Sequence, residues 1–244
     1  LTSPGRTRRS TGYLSLMLRK AIALFLVPVL VAATAGTNPG PQVVVLDEGS
    51  FTLYKDGERI GREDFSIRAA PGPDGRAIVA QATIAIGSRR VAPGVSTDTS
   101  GFPVRYQREV RDSGEVLESY SGQAVRGRFS SRLVRADGES AREFRLPAQA
   151  VAADDDVVHQ LWFIARRGAG AVVPVLVPRR NVVESVRVAG AGEESITIDL
   201  RRFETIHLVL QTTETGEIRD VWVAKDGRII KAAIPSLGLI ALRD

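Results

Sequence analysis

The chain reads as a mainly β protein: one large, curled antiparallel sheet, a half-barrel or open barrel, with a single amphipathic helix on its concave face. Three observations predict this. From Ser50 onward apolar residues recur with a period of two, broken by turn residues at roughly the 8–12-residue spacing of sandwiches and barrels. The alternation of strands with long helices that marks a parallel sheet is missing. Asp154–Arg167 alone in this region carries a helical period.

The strands follow in order. Phe51 and Leu53 alternate with Thr52 and Tyr54, Asp56 and Gly57 give a hairpin signal, and Phe65 and Ile67 lie on the return strand. Pro73, Asp74 and Gly75 turn the chain into Ile78, Ala80, Ala82, Ile84 and Ile86, all of one parity. Val104 and Tyr106 precede a turn at Asp112–Gly114, and Val116 and Tyr120 follow it. Phe129, Ser131 and Leu133 share a face, with Arg126, Arg128 and Arg132 on the other; Asp137 and Gly138 close that hairpin. Beyond the helix, Val173, Val175 and Val177 lead into Pro178, and Val186 and Val188 run to a turn at Gly190–Gly192. Ile196, Ile198 and Leu200 form one set by parity, and Ile206, Leu208 and Leu210 another. Hairpins at Gly216 and Gly227 complete the series. So many alternating strands form a sheet too large to stay flat.

In the helix, Val157, Val158, Leu161, Trp162, Ile164 and Ala165 fall on one face at about 100° per residue, with His159, Gln160, Arg166 and Arg167 opposite and Phe163 out of place. Asp154 or Asp155 is expected to cap its start, and Gly168 to end it. An isolated helix of this length is marginal in water, so its apolar face must be covered. A buried Trp162 is the natural filler of the sheet's hollow.

Composition closes off several functions. The chain of 244 residues has 33 basic and 28 acidic side chains. Five of the basic ones, Arg6, Arg8, Arg9, Arg19 and Lys20, lie in residues 1–35, which hold no acid. Taking these five from 33 leaves 28 against 28, so the remainder is neutral and no nucleic-acid partner is expected. The absence of cysteine rules out disulfides, thiolate chemistry and a lipidated N-terminal cysteine.

Arg19 and Lys20, the apolar run Ala21–Ala33 and the small residues Ala33 and Ala35 have the order of a secretory signal peptide. The run is short of the roughly 20 apolar residues of a membrane span. Residues 1–35 are therefore read as an upstream extension plus leader starting at Met17, cleaved near Ala35, with membrane attachment only through an uncleaved leader. Residues 36–49 are read as a flexible linker and 50–244 as a single domain. The mature protein is expected in the periplasm or outside the cell, where cofactors such as ATP and NAD(P)H are scarce; no cofactor is expected.

The segment from Val221 to Ile230, with Trp222, Val223, Asp226, Gly227 and Arg228, and the tail Ile234–Leu239 with Pro235, Gly238 and Leu239, resemble the C-terminus of a group of exported bacterial domains of unknown function. Tyr54–Gly61, with Gly57, Ile60 and Gly61, resembles their first hairpin. The group is related to the lipoprotein-carrier family, and the resemblance implies a half-barrel of antiparallel strands covering an apolar cavity, in an envelope location.

Nucleophile elbows, zincin helices and phosphate loops are all absent. The primary expectation is a non-enzymatic envelope protein that binds an apolar or lipid-like molecule against Val158, Leu161, Trp162 and Ala165. Arg126, Arg128 and Arg132 are candidates for contacts to anionic head groups or to an envelope protein partner. The alternative is a structural or interaction module with a filled core. An extracytoplasmic hydrolase using Asp155, Asp156 and His159 ranks third; no metal site is expected, since His207 is the one other histidine.

Overall fold

Strand-forming patterns translate directly into a meander. The computed structural model describes residues 42–72 and 75–244, so the leader, its cleavage site and residues 36–41 of the expected linker lie outside the described residues. The first half runs β1 (Val44–Lys55), β2 (Glu58–Gly72), β3 (Gly75–Ile86), β4 (Arg89–Thr97), β5 (Pro103–Asp112), β6 (Glu115–Val125), β7 (Arg128–Arg135) and β8 (Gly138–Phe144). The second half comprises β9 (Val151–Ala152), a helix α1 (Leu161–Ala165), β10 (Val172–Val177), β11 (Val182–Ile198), β12 (Arg201–Thr212), β13 (Ile218–Ala224), β14 (Ile229–Ile234) and β15 (Leu239–Arg243).

All fifteen described strands form one sheet, in the order β8 back to β1, then β15 back to β9. Two meanders are thus joined where β1 pairs antiparallel with β15, Phe51 opposite Arg243 and Lys55 opposite Leu239. Only β9 is parallel to its neighbour, β10. The sheet curls until β7 and β8 approach the turn after β10. Side chains rather than a ladder bridge the gap: Ser131 Oγ donates to Asn181 Oδ1 at 3.0 Å and Arg135 Nη2 to the Arg179 carbonyl at 3.0 Å.

Alternation places Phe51, Leu53, Phe65, Ile67, Ala80, Tyr106 and Phe129 on the concave side, each buried. A smaller apolar cluster, Ile196, Ile198, Trp222 and Ile230, lies apart from this core. It exists because β11 carries a register shift between Gly190 and Gly192, which reverses the parity of everything after it. The glycines expected to form a turn are instead this bulge within a 17-residue strand. Leu200, grouped by parity with Ile198, sits in the following turn with φ 67° and is 99% exposed.

The first hairpin behaves as its sequence predicts. Asp56 and Gly57 both have positive φ, 51° and 87°, the backbone that a two-residue hairpin with native twist requires. Gly61 is needed for a different reason: a Cβ there would lie 2.1 Å from the Ala85 carbonyl oxygen, in the neighbouring strand. The linker expectation is corrected at its end, since β1 already begins at Val44 and residues 44–49 belong to the sheet.

The helix is the largest correction. Instead of spanning 154–167, α1 is the five residues Leu161–Ala165, with no side-chain cap and no acid in its first turn. In the longer helix the N–H groups of Val158 and His159 would reach carbonyls four residues back. They donate instead to the Glu63 carboxylate, at 2.9 and 2.7 Å. The chain from Ala150 to Ala165 threads the interior of the curled sheet rather than lying on it, so hardly any polar face is left. His159 and Gln160, which the wheel sets opposite the apolar face, are 1% and 0% exposed. Phe163, out of place on the wheel, is buried, whereas Trp162 is only partly buried beneath the Arg166 guanidinium, 4.4 Å from its ring. Gly168 does end the turn, with φ 79° and its N–H on the Ala165 carbonyl.

Candidate functional site

Three consecutive aspartates enter the interior with this threaded segment, and each is met by arginine: Arg108 serves the first and third, Arg180 and Arg219 the second. Asp154, fully buried, accepts from Arg108 Nη1 at 3.1 Å, from the Tyr106 hydroxyl at 2.8 Å and from the Arg179 backbone N–H at 2.6 Å. The last is available because a 3₁₀ turn begins at Pro178 and leaves its first N–H groups without partners in the turn. Asp155 accepts from Arg180 Nε at 2.8 Å and Arg219 Nη2 at 2.7 Å. Asp156 takes a two-pronged bond from Arg108, 2.9 and 3.0 Å, the fork geometry that suits guanidinium to carboxylate. Arg108, Arg219, Asp154 and Asp155 are all buried.

The charges follow from this arrangement. Burial works against the Arg108 cation, but the bonds from Asp156 and the fields of Asp154 and Asp156 outweigh it and hold its pKa well above the ordinary value. Arg108 divides itself between two acids, and the better-bonded one gains. Burial alone would raise the Asp156 carboxyl, yet its bonds to Arg108 and the fields of Arg108 and Arg179 bring it below the usual range. Asp154 is pushed up to about 6 by burial, which the Arg108 charge and the Arg179 N–H offset only in part. Burial also raises the Tyr106 phenol far above its usual range, so Tyr106 stays a donor to Asp154.

Farther along the segment Glu63 and His159 form a second buried pair. Glu63 Oε1 lies 2.7 Å from His159 Nδ1 while also receiving the His159 backbone N–H. The imidazole stacks on Phe65, which stacks in turn on Phe51, with centroid spacings of 5.8 and 5.1 Å. Arg243 stands over both phenylalanine rings and pairs with Asp47 at 2.6 Å, covering that end of the core. His159 therefore faces Glu63, not Asp155 and Asp156. The third expected constellation is not assembled, because those aspartates turn to arginines. Among the described residues no three metal-ligating side chains converge.

The expected ligand-lining residues are divided. Val158, Leu161 and Ala165 are packed in the core at 0%, 0% and 6% exposure, and Trp162 lies at its edge. The hollow lies elsewhere on the concave side, at the end where the β1–β2 and β3–β4 hairpins meet the two proline turns. A cavity of about 310 Å³ there is walled by Leu53, Ile60, Ile84, Ile86, Leu237 and Leu239, with Lys55, Arg89, Asp156 and Arg179 also lining it. The two turns are built alike: Pro178–Arg180 ends on Asn181 and Pro235–Leu237 on Gly238, both left-handed at φ 55° and 59°.

The arginine stripe is redistributed too. Arg126 is not on the strand but in the hairpin turn before β7, with φ 51°. Arg128 and Arg132 do share an exposed face, where they pair with Glu143 at 3.3 Å and Glu139 at 2.6 Å on β8. On the other side of the sheet from the core, His207 stacks on Trp222 at 4.3 Å and bonds Asp220 through Nε2 at 2.8 Å.

No known protein family matches the chain, and no curated protein matches it. Among solved structures it is similar to a crystal structure described as a beta-barrel-like protein of Domain of Unknown Function DUF1849 from Brucella abortus. Identity is 10%, the TM-score is 0.52, and the similarity covers 81% of this chain and 94% of that one. The likeness is one of fold, a β-barrel-like architecture.

Proposed function

We propose that this chain is an exported, non-enzymatic envelope protein that takes an apolar or amphipathic molecule into the cavity at the mouth of its curled sheet. The observation that carries this reading is the contrast along the concave side. Around Val158, Leu161 and Phe163 the interior is filled by the chain itself, whereas beside Leu53, Ile84 and Leu239 an apolar space of about 310 Å³ remains. That is near the lower bound of ordinary small-molecule sites, roughly 300 Å³. The leader-like run Ala21–Ala33 supports the export part.

The test is native mass spectrometry with solvent extraction of protein recovered from envelope fractions. A bound small molecule that is absent from an Ile86→Trp variant supports the reading. Protein that is empty from every source, and whose stability no apolar probe raises, removes it. N-terminal sequencing of the same material checks export: the mature chain is expected to start just after Ala35.

A second reading, an interaction module without ligand, draws on the filled centre, where a segment clamped by buried ion pairs leaves little room to open. In-cell cross-linking that captures one defined envelope protein, from chain that extracts empty, would favour it.

A further inference from the structure

The mouth cavity carries a charge pattern as well as an apolar wall, and the pattern selects a ligand class. Three cationic side chains line it: Lys55 at the end of β1, Arg89 at the start of β4 and Arg179 in the proline turn. Lys55 and Arg89 have no ion-pair partner within 4.0 Å among the described residues, though Arg89 lies across from Asp112 and its field helps to lower that carboxyl; Arg179 has only Asp156 at 3.9 Å. The single carboxylate in the lining, Asp156, is already committed to the two-pronged bond with Arg108, which lies behind it in the core. The rim thus offers unspent positive charge above a wall of leucine and isoleucine. Other cations, Arg105 and Arg187 among them, also lack an ion-pair partner among the described residues; what sets Lys55, Arg89 and Arg179 apart is that they share one cavity with an apolar wall.

Resting on the mouth-cavity reading, we propose that the ligand is a single-chain amphiphile with an anionic head, a carboxylate or a phosphate monoester. Lys55, Arg89 and Arg179 hold the head, and the chain lies against Leu53, Ile84, Ile86 and Leu239. Guanidinium and ammonium donors bind such heads through charge-assisted hydrogen bonds that a neutral alcohol cannot match. The apolar wall rejects a bare anion, which gains nothing from it.

Calorimetric titration of the purified protein with decanoate, decanol and inorganic phosphate separates these ideas. Decanoate is expected to bind at least about tenfold more tightly than decanol, and the double variant Lys55→Gln, Arg89→Gln, which keeps only Arg179 of the three cations, is expected to cut that preference severalfold through weaker decanoate binding. Both replaced side chains are exposed, so the fold does not depend on them. Equal binding of decanoate and decanol would overturn the head-group inference and leave the cavity reading standing. Phosphate binding as tightly as decanoate would make this a free-anion site and overturn the amphiphile. An undiminished decanoate preference in the double variant would assign the head elsewhere, and binding of none of the three would sink both readings together.

Discussion

Arginines meet acids on both sides of this sheet, and the two sets do different work. Inside, the buried Arg108 and Arg219 bind the buried Asp154 and Asp155 and the partly buried Asp156. Outside, Arg128 and Arg132 bind Glu143 and Glu139 in full view of solvent. The chemistry is the same and some distances are equally short, so distance does not rank them. Burial does. A charge taken from water needs its partner, and removing one partner strands the other; an exposed pair gains little because water serves either ion almost as well. The inner set therefore fixes where the threaded segment lies, while the outer set keeps an edge strand soluble.

The sharpest way to break this contrast is Arg108→Ala. It leaves the buried Asp154 and the partly buried Asp156 without the Arg108 cation, and the expected loss is about 3–5 kcal/mol of unfolding free energy. Denaturant titration measures it, and a failure to accumulate folded protein is the same result in stronger form. A loss under about 1 kcal/mol would mean that the aspartates find water, and the inner and outer sets would no longer differ in kind.

Packing around the clamped segment gives the next effect. Phe163→Ala removes a buried ring and should cost about 3–5 kcal/mol. Trp162→Ala should cost distinctly less, because Trp162 is only partly buried and one of its faces meets Arg166. The reverse order would restore the amphipathic helix that the sequence pattern suggests.

That reversal shows what was legible and what was not. The fold was: period-two runs, turn dipeptides and the missing βα alternation are local signals, and the structure obeys them almost throughout. Wheel and capping rules overextend the helix because they assume that a segment satisfies its own N–H groups. Here Glu63, far away in sequence, takes two of them. The charged side chains that hold the threaded segment did leave a trace. Glu63 shares parity with Phe65 and Ile67, Arg108 with Tyr106 and Val110, and Arg219 with Val221, so all three are charges at inward positions of apolar strands. Inward charges of both signs, together with an acidic triplet in an otherwise apolar segment, amount to a buried network. The mouth cavity left no such trace, since its walls come from five separate regions that only the curl of the sheet assembles.

Acid titration separates the members of the inner set from one another. Asp154 has its folded pKa raised from 3.8 to about 6, so between those values the native state holds a proton that the unfolded chain has released. Its contribution to stability therefore grows as pH falls from about 6 toward 4. Asp156 is shifted the other way, so its contribution is present above its ordinary value and fades as pH drops below it. In Asp154→Asn the first effect is gone. The stability difference between wild type and variant, from denaturant titrations at several pH values, should be flat above about pH 6.5 and move in favour of wild type below it. Parallel curves would mean that Arg108 holds Asp154 ionised throughout.

The smallest effect belongs to the outer set and is the control for all the others. Arg132 makes a two-pronged bond to Glu139, both contacts at 2.6 Å, the best geometry on the exposed face. The Arg132 bond draws the Glu139 carboxyl below its usual range, yet its side chain is 61% exposed and that of Glu139 48%. Water and salt screen such a pair, and Arg132→Ala should change stability by less than about 1 kcal/mol, shrinking further at high ionic strength. Arg132→Ala has a second use. If the stripe recognised an anionic head or a protein partner, the variant would lose that partner with its fold intact, whereas a pair that only dresses an edge strand would leave binding untouched. Equal decanoate affinity in wild type and Arg132→Ala is the expected result, because Arg132 already has its acid and does not line the mouth cavity.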